Sequence, residues 1–142
     1  MAMTYGYVYV ASISMGADMN QTLKAFKEAE AYNGPSLIIA YAPCINQGIR
    51  KGMGKSLEEA KLAVQTGYWP MYRYNPALKE EGKNPFILDY KKDPDGKMEE
   101  FLLGENRYAQ LDKAQPELAA ELRATMIKQY TERFAELTEL AK

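Results

Sequence analysis

The sequence of 142 residues contains no histidine and only one cysteine. Without histidine the chain can form neither a Ser-His-Asp nor a Cys-His nucleophilic site, and every zinc site that uses histidine is excluded as well. One cysteine cannot form an internal disulfide bond, which favours a reducing, cytoplasmic environment. A complete active site within this chain would therefore have to use carboxylates, lysine or tyrosine.

The sequence also lacks a strong charge of either sign and a long apolar run. Its formal net charge is −1, so it offers no electrostatic basis for binding nucleic acid or an anionic membrane. No segment approaches the roughly 20 apolar residues of a membrane span, and residues 1–13 do not have the regions of a secretory signal. The length and the hydrophobic content of 46% predict a single globular domain over residues 1–142.

The apolar segments at the start of the chain predict an α/β fold. Residues 7–13 (YVYVASI) and 36–42 (SLIIAYA) are strand-like, and the second is of the continuous apolar kind that is buried on both faces of a parallel sheet. Between them, after Asp18 or Asn20 as a suitable N-cap, apolar residues recur at helical spacing. These residues are Met19, Leu23, Phe26 and Ala29. Strand, helix and strand in this order predict a right-handed, parallel βαβ unit.

The second half of the chain is mostly helical with two extended segments. Residues 67–76 (GYWPMYRYNP) are aromatic and interrupted by proline, which predicts an extended segment at the sheet edge. Residues 86–91 (FILDYK) predict a strand, whereas 98–103 (MEEFLL) fit a short strand or a helix equally well. A short helix is expected over 106–114. A long helix follows from Pro116 to the C-terminus, because proline favours the first helical position.

Residues 44–56 (CINQGIRKGMGKS) end in the second half of a phosphate-binding loop. Such a loop requires glycine five residues before Gly54, but Ile49 occupies that position. We therefore interpret the segment as a glycine-containing loop followed by a helix. Ser56 and Glu59 are spaced as a capping box for this helix, and Gly67 is placed to end it.

Cys44 follows the predicted strand 36–42, and ligands of open α/β sheets bind at the carboxyl ends of the strands. Nearby Arg50, Lys51 and Lys55 would favour the thiolate, the form that ligates metals. The alternative is a buried, inert thiol, because cysteine is among the most buried residue types. As a ligand of an iron–sulfur cluster, Cys44 would need three further cysteines from outside this chain.

Several segments resemble the C-terminal region of the long, homodimeric pyruvate:ferredoxin (flavodoxin) oxidoreductases. The most specific are residues 34–44 (GPSLIIAYAPC), 67–76 (GYWPMYRYNP) and 103–108 (LGENRY). The resemblance covers essentially the whole chain. It implies the latter half of a thiamine-diphosphate-binding domain, hence a partial fold of that type with a parallel βαβ core. A C-terminal tail from about residue 67 to 142 would follow.

The resemblance implies that the parent protein, a cytoplasmic homodimer, oxidatively decarboxylates pyruvate to acetyl-CoA with thiamine diphosphate and Mg²⁺. Electrons would pass through 4Fe–4S clusters to ferredoxin or flavodoxin. Cys44 would be the fourth ligand of the cluster nearest thiamine diphosphate, and no residue of this chain would be catalytic or bind the thiamine cofactor. The family's GDG motif, which binds Mg²⁺ and the diphosphate, has no counterpart here.

We therefore expect the isolated chain to be inactive and to bind neither iron nor thiamine diphosphate. Its partners would be the remaining domains of the parent polypeptide, with no role for nucleic acid or a membrane. The alternative is a non-catalytic α/β interaction module that docks a partner through its tyrosine-rich surface and its terminal helix.

Overall fold

The fold is built on a four-stranded mixed sheet, in a computed structural model that describes residues 1–142. The strands are β1 (Tyr9–Ile13), β2 (Ser36–Ala40), β3 (Tyr72–Tyr74) and β4 (Phe86–Leu88), in the order β2-β1-β3-β4. β1 and β2 pair in parallel, as predicted, whereas β3 and β4 join antiparallel. The α/β class and the parallel pairing are confirmed, and the right-handed crossover stays a prediction.

Six α-helices and two short 3-10 turns complete the fold. The 3-10 turns are Ala2–Tyr5 and Met53–Lys55, and the helices are α1 (Met19–Ala31), α2 (Ser56–Gln65), α3 (Ala77–Glu80), α4 (Met98–Gly104), α5 (Asn106–Ala114) and α6 (Pro116–Leu140). The predicted short and long C-terminal helices are confirmed as α5 and α6. None of the helices combines the length and the apolar character that crossing a membrane requires.

The ambiguous segment 98–103 is helical because helix geometry buries its apolar residues together. Met98, Phe101 and Leu102 follow one another at spacings of three and one, which puts them on one face of α4. All three are buried and pack with Ala63 of α2. An alternating strand pattern would have separated these side chains between two faces.

The aromatic segment 67–76 does not lie at the sheet edge, so that prediction was wrong. β3 lies between β1 and β4, and its three residues are buried. Pro70 and Pro76 lie outside the three-residue strand, so no ladder hydrogen bond is lost to them. Proline excludes an interior strand only when it falls within the paired residues.

The predicted burial of residues 36–42 was also wrong. β2 is an edge strand, and Leu37 and Ile39 are each 41% exposed. On α1, Met19, Leu23 and Phe26 are between 50% and 54% exposed. Of the two N-cap candidates, Asp18 caps the helix, and its Oδ1 accepts hydrogen bonds from two backbone N–H groups. The residues of α1 that are buried are Gln21, Thr22 and Ala25. This chain provides nothing that packs against its most apolar strand edge and helix face.

The start of α2 differs from the predicted capping box. Ser56 is the first residue of the helix, and its hydroxyl donates a hydrogen bond back to the Met53 carbonyl. Glu59 turns inward and is 1% exposed, so it cannot return to the helix N-terminus. At the other end Gly67 has φ of 79°, the left-handed conformation that glycine adopts after a helix, as predicted.

Candidate functional site

Cys44 lies on a loop that leaves the carboxyl end of β2. The Tyr41 N–H donates to the Ile13 carbonyl at 3.0 Å, which prolongs the parallel pairing up to the loop. The Gly48 N–H then donates to the Cys44 carbonyl at 2.8 Å, with Gly48 at φ of 73°. This turn leaves the thiol partly exposed, at the sheet edge where α/β folds bind ligands. The thiol is therefore not buried within this chain.

The loop is held by the segment between α4 and α5. The Arg50 N–H donates to the Gly104 carbonyl at 2.8 Å, and Ile49 forms an antiparallel bridge with Glu105. Asn106 contributes twice, since its backbone N–H donates to the Gly48 carbonyl at 3.2 Å and its side-chain amide donates to the Gln47 carbonyl at 2.8 Å. For convenience, residues 44–50 are called the cysteine loop and residues 104–107 the clamp.

The clamp also provides the charge nearest to the thiol. Arg107 Nη2 lies 3.6 Å from Cys44 Sγ and donates a hydrogen bond to it. The backbone N–H groups of Gln47 and Asn46, followed by the charge of Arg107, lower the pKa of the Cys44 thiol. All of these interactions favour the thiolate.

The basic residues that the sequence suggested for this role do not fill it. Lys55 pairs with Glu58 at 2.6 Å, and Lys51 lies 4.0 Å from Glu100. Arg107 was missed because it is 63 residues from Cys44 in the chain. Arg107 lies in the segment LGENRY, which supported the family resemblance, but nothing in the sequence connected this segment with Cys44.

A small cavity of about 130 Å³ opens beside the thiol. Its lining is largely aromatic and includes Tyr41, Tyr68, Phe101 and Tyr108 in addition to Cys44 and Arg107. Two hydrogen bonds fix these rings, one between the Tyr68 and Tyr108 hydroxyls at 2.9 Å and one from the Tyr41 hydroxyl to Glu105 Oε1 at 3.1 Å. The largest cavity, of about 720 Å³, lies elsewhere, beside Tyr7, and none of the predicted site residues lines it.

Two carboxyl groups are buried at the clamp, one from Glu105 of the clamp itself and one from Glu59 of α2. Burial raises the pKa of Glu59, and the neighbouring Glu105 raises it further. Burial also raises the pKa of Glu105, although the hydrogen bond from Tyr41 opposes this change. Glu59 Oε1 has no hydrogen-bond partner. No sequence pattern indicated this pair, because the spacing of Glu59 from Ser56 was interpreted as a capping box.

The chain by itself does not assemble a complete metal site. No group of three or more histidine, cysteine, aspartate and glutamate residues is placed to hold an ion. What it presents is one thiol among N–H donors and a guanidinium group, at the edge of an α/β sheet. These features define an α/β chain that carries a partly exposed thiol but no complete metal site of its own.

The comparisons with known proteins agree with this class. No family model matches the chain. It is 65% identical over 119 residues to the pyruvate-flavodoxin oxidoreductase of Enterobacter agglomerans, a match that covers 84% of this chain and 10% of the relative. It is 63% identical over 122 residues to the pyruvate:ferredoxin oxidoreductase of Moorella thermoacetica, covering 86% of this chain and 10% of the relative.

A third relative matches almost the entire chain. The pyruvate-flavodoxin oxidoreductase of Klebsiella pneumoniae is 52% identical over 141 residues, which is 99% of this chain and 12% of the relative. The chain thus spans between 10% and 12% of the length of these relatives. It is homologous to one segment of the pyruvate:ferredoxin and pyruvate-flavodoxin oxidoreductases, which confirms the resemblance found in the sequence.

Proposed function

We propose that this chain acts as part of a pyruvate:ferredoxin or pyruvate-flavodoxin oxidoreductase, in which Cys44 is one of four ligands of a 4Fe–4S cluster. The rest of the chain would form part of the thiamine-diphosphate-binding region and its C-terminal tail. The observation that carries the proposal is the thiol of Cys44, partly exposed at the carboxyl end of a parallel strand with a lowered pKa. The similarity of the chain to segments of oxidoreductases supports the proposal.

The surroundings of Cys44 suit a residue that supplies one of the four ligands of such a cluster. A cluster ligand must be a thiolate, and the N–H groups of Gln47 and Asn46 and the charge of Arg107 favour that form. The sulfur must also be reachable from outside the chain, because the other ligands come from elsewhere. Its partial exposure meets this requirement.

The role of this chain in the reaction is to hold one ligand and the adjoining protein in place. When bound, the cluster supplies one-electron transfer between the site of pyruvate decarboxylation and ferredoxin or flavodoxin. The clamp fixes the cysteine loop through backbone and side-chain hydrogen bonds. Aromatic rings line the small cavity beside the thiol.

The exposed apolar surfaces support a role within a larger protein. Leu37 and Ile39 of β2 and the stripe Met19, Leu23 and Phe26 of α1 are exposed on neighbouring elements. The outer edge of β2 is not paired with another strand, and proteins seldom leave such an edge open and apolar. We propose that the preceding part of the parent polypeptide covers this surface, and that the activity requires those domains.

Replacing Cys44 by serine in the full-length parent protein tests the ligand assignment. We expect loss of iron from one cluster, a changed electron paramagnetic resonance spectrum and slower pyruvate-dependent reduction of ferredoxin or flavodoxin, because a hydroxyl is a harder, less ionised ligand than a thiol. Ile45→Ser is the matched control, since Ile45 is the exposed neighbour in the same loop. Full iron content and an unchanged spectrum in Cys44→Ser would contradict the assignment and favour the interaction module.

A further inference from the structure

The guanidinium group of Arg107, an exposed residue, lies beside the sulfur of Cys44. Arg107 Nη2 donates a hydrogen bond to Sγ over 3.6 Å. We infer that Arg107 is a positioning residue that sets the reduction potential of the cluster ligated by Cys44, through this hydrogen bond to the ligand sulfur. The inference rests on the proposed function, because it requires Cys44 to be a cluster ligand.

The fold fixes the start of the helix that carries Arg107. Asn106 is the first residue of α5, and its two hydrogen bonds to the carbonyls of Gly48 and Gln47 attach it to the cysteine loop. The bridge between Ile49 and Glu105 adds a further connection on the other side. The cysteine loop and the start of α5 therefore form one hydrogen-bonded unit, and this unit holds the backbone of Arg107 near the cysteine loop.

The direction of the effect follows from charge. Reduction adds an electron to the cluster, and part of the added negative charge falls on the ligand sulfurs. A cationic N–H donor at one of these sulfurs stabilises the reduced form more than the oxidised form, which raises the potential. Arg107 would therefore make the cluster a better electron acceptor, and its removal should make the cluster harder to reduce.

Arg50 offers a control, because it carries the same charge as Arg107 and lies on the cysteine loop. Arg50 is exposed, its backbone N–H bonds to the Gly104 carbonyl, and it is absent from the interactions that lower the pKa of the Cys44 thiol. Arg50→Gln changes the net charge as Arg107→Gln does, but it removes no donor to the sulfur. A comparison of the two variants separates the hydrogen bond from the general field of a positive charge.

The experiment uses the full-length parent protein with thiamine diphosphate and its clusters bound. Iron content and the midpoint potential of the cluster are measured, the latter by redox titration followed by electron paramagnetic resonance. For Arg107→Gln we expect full iron and an equilibrium constant for reduction about tenfold lower, which for one electron is about 59 mV toward negative potential. Arg107→Lys should shift the potential less, because it retains a cationic donor, and Arg50→Gln should leave the potential near that of the native protein.

Each result bears on the inference separately from the proposed function. An unchanged potential in Arg107→Gln, or equal shifts in Arg107→Gln and Arg50→Gln, would overturn it while leaving Cys44 a ligand. Loss of iron from both Arg107 variants would also overturn it, since the residue would then be needed to build the site. Full iron in Cys44→Ser would overturn the proposed function, and the role of Arg107 with it.

Discussion

Replacing Arg73 by methionine should strongly destabilise this chain. Arg73 lies on β3, its side chain is 4% exposed, and its guanidinium group binds two carboxylates. Nε and Nη2 bond to Asp89 at between 2.8 and 3.1 Å, and Nη1 pairs with Glu28 of α1. The group thus joins the interior of the sheet to α1 and to the residue that follows β4.

The size of the effect follows from the charges left behind. Methionine has a similar length but neutralises neither carboxylate, and the side chains of Asp89 and Glu28 are only 11% and 24% exposed. Each keeps one neutral donor, since Gln21 bonds to Asp89 at 2.8 Å and the Tyr9 hydroxyl bonds to Glu28 at 3.0 Å. Removing one partner of a buried ion pair lowers the free energy of unfolding by about 3–5 kcal/mol.

Urea unfolding of the 142-residue chain, followed by circular dichroism, measures this loss. At an m-value of roughly 2 kcal/mol per molar, the midpoint should fall by about 2 M. Adding Asp89→Asn to Arg73→Met should restore part of the loss, because it removes an uncompensated charge. Arg123→Met is the matched control: its partners Asp112 and Glu99 are 37% and 61% exposed, so we expect a loss below about 1 kcal/mol. Equal losses in the two methionine variants would refute the reasoning.

Three further predictions concern other parts of the chain. The folded pKa of Glu59 is raised by burial and by Glu105, so its contribution to stability is full below the unfolded pKa of about 4.3 and is lost as the pH rises through the folded value. Glu59→Gln should therefore flatten the decline of the urea midpoint above that pH, and parallel pH profiles would contradict this. Iodoacetamide should alkylate Cys44 at pH 7 faster in the folded chain than in urea, because folding lowers the pKa of the thiol. A slower rate in the folded chain would contradict a stabilised thiolate. Leu37→Lys should change the unfolding free energy of this chain by less than about 0.5 kcal/mol, yet reduce the yield of the assembled parent protein. An unchanged yield of the parent protein would argue against a covered β2 edge.

Local sequence signals were sufficient for the elements but not for their surroundings. The βαβ unit and the long C-terminal helix follow from apolar spacing, capping by Asp18 and the position of Pro116, all of which act over a few residues. The continuous apolar run of residues 36–42 predicted the wrong environment for β2, and the helical spacing did not report that the apolar stripe of α1 is exposed. Burial depends on what packs against an element, and for these two elements this chain provides no partner.

The sequence predicted the position of one residue of the candidate site, Cys44, but not the positions of its neighbours. Cys44 could be placed because it follows a strand directly. Arg107 and Glu59 could not, since their positions depend on how the clamp docks on the cysteine loop. No local pattern reports a hydrogen bond that spans 63 residues, so these contacts had to come from the structure.

The separation between the cysteine loop and the clamp also has a consequence for the synthesis of the protein. Ribosomes add about 5–20 residues per second, so Arg107 is joined to the chain about 3–13 s after Cys44, given the 63 residues between them. During this interval the nascent loop lacks the carbonyl of Gly104 and the amide of Asn106 that later hold it. The thiol is thus synthesised early but acquires its final position late, because the order of translation delays the closure of the cysteine loop until the clamp has been made.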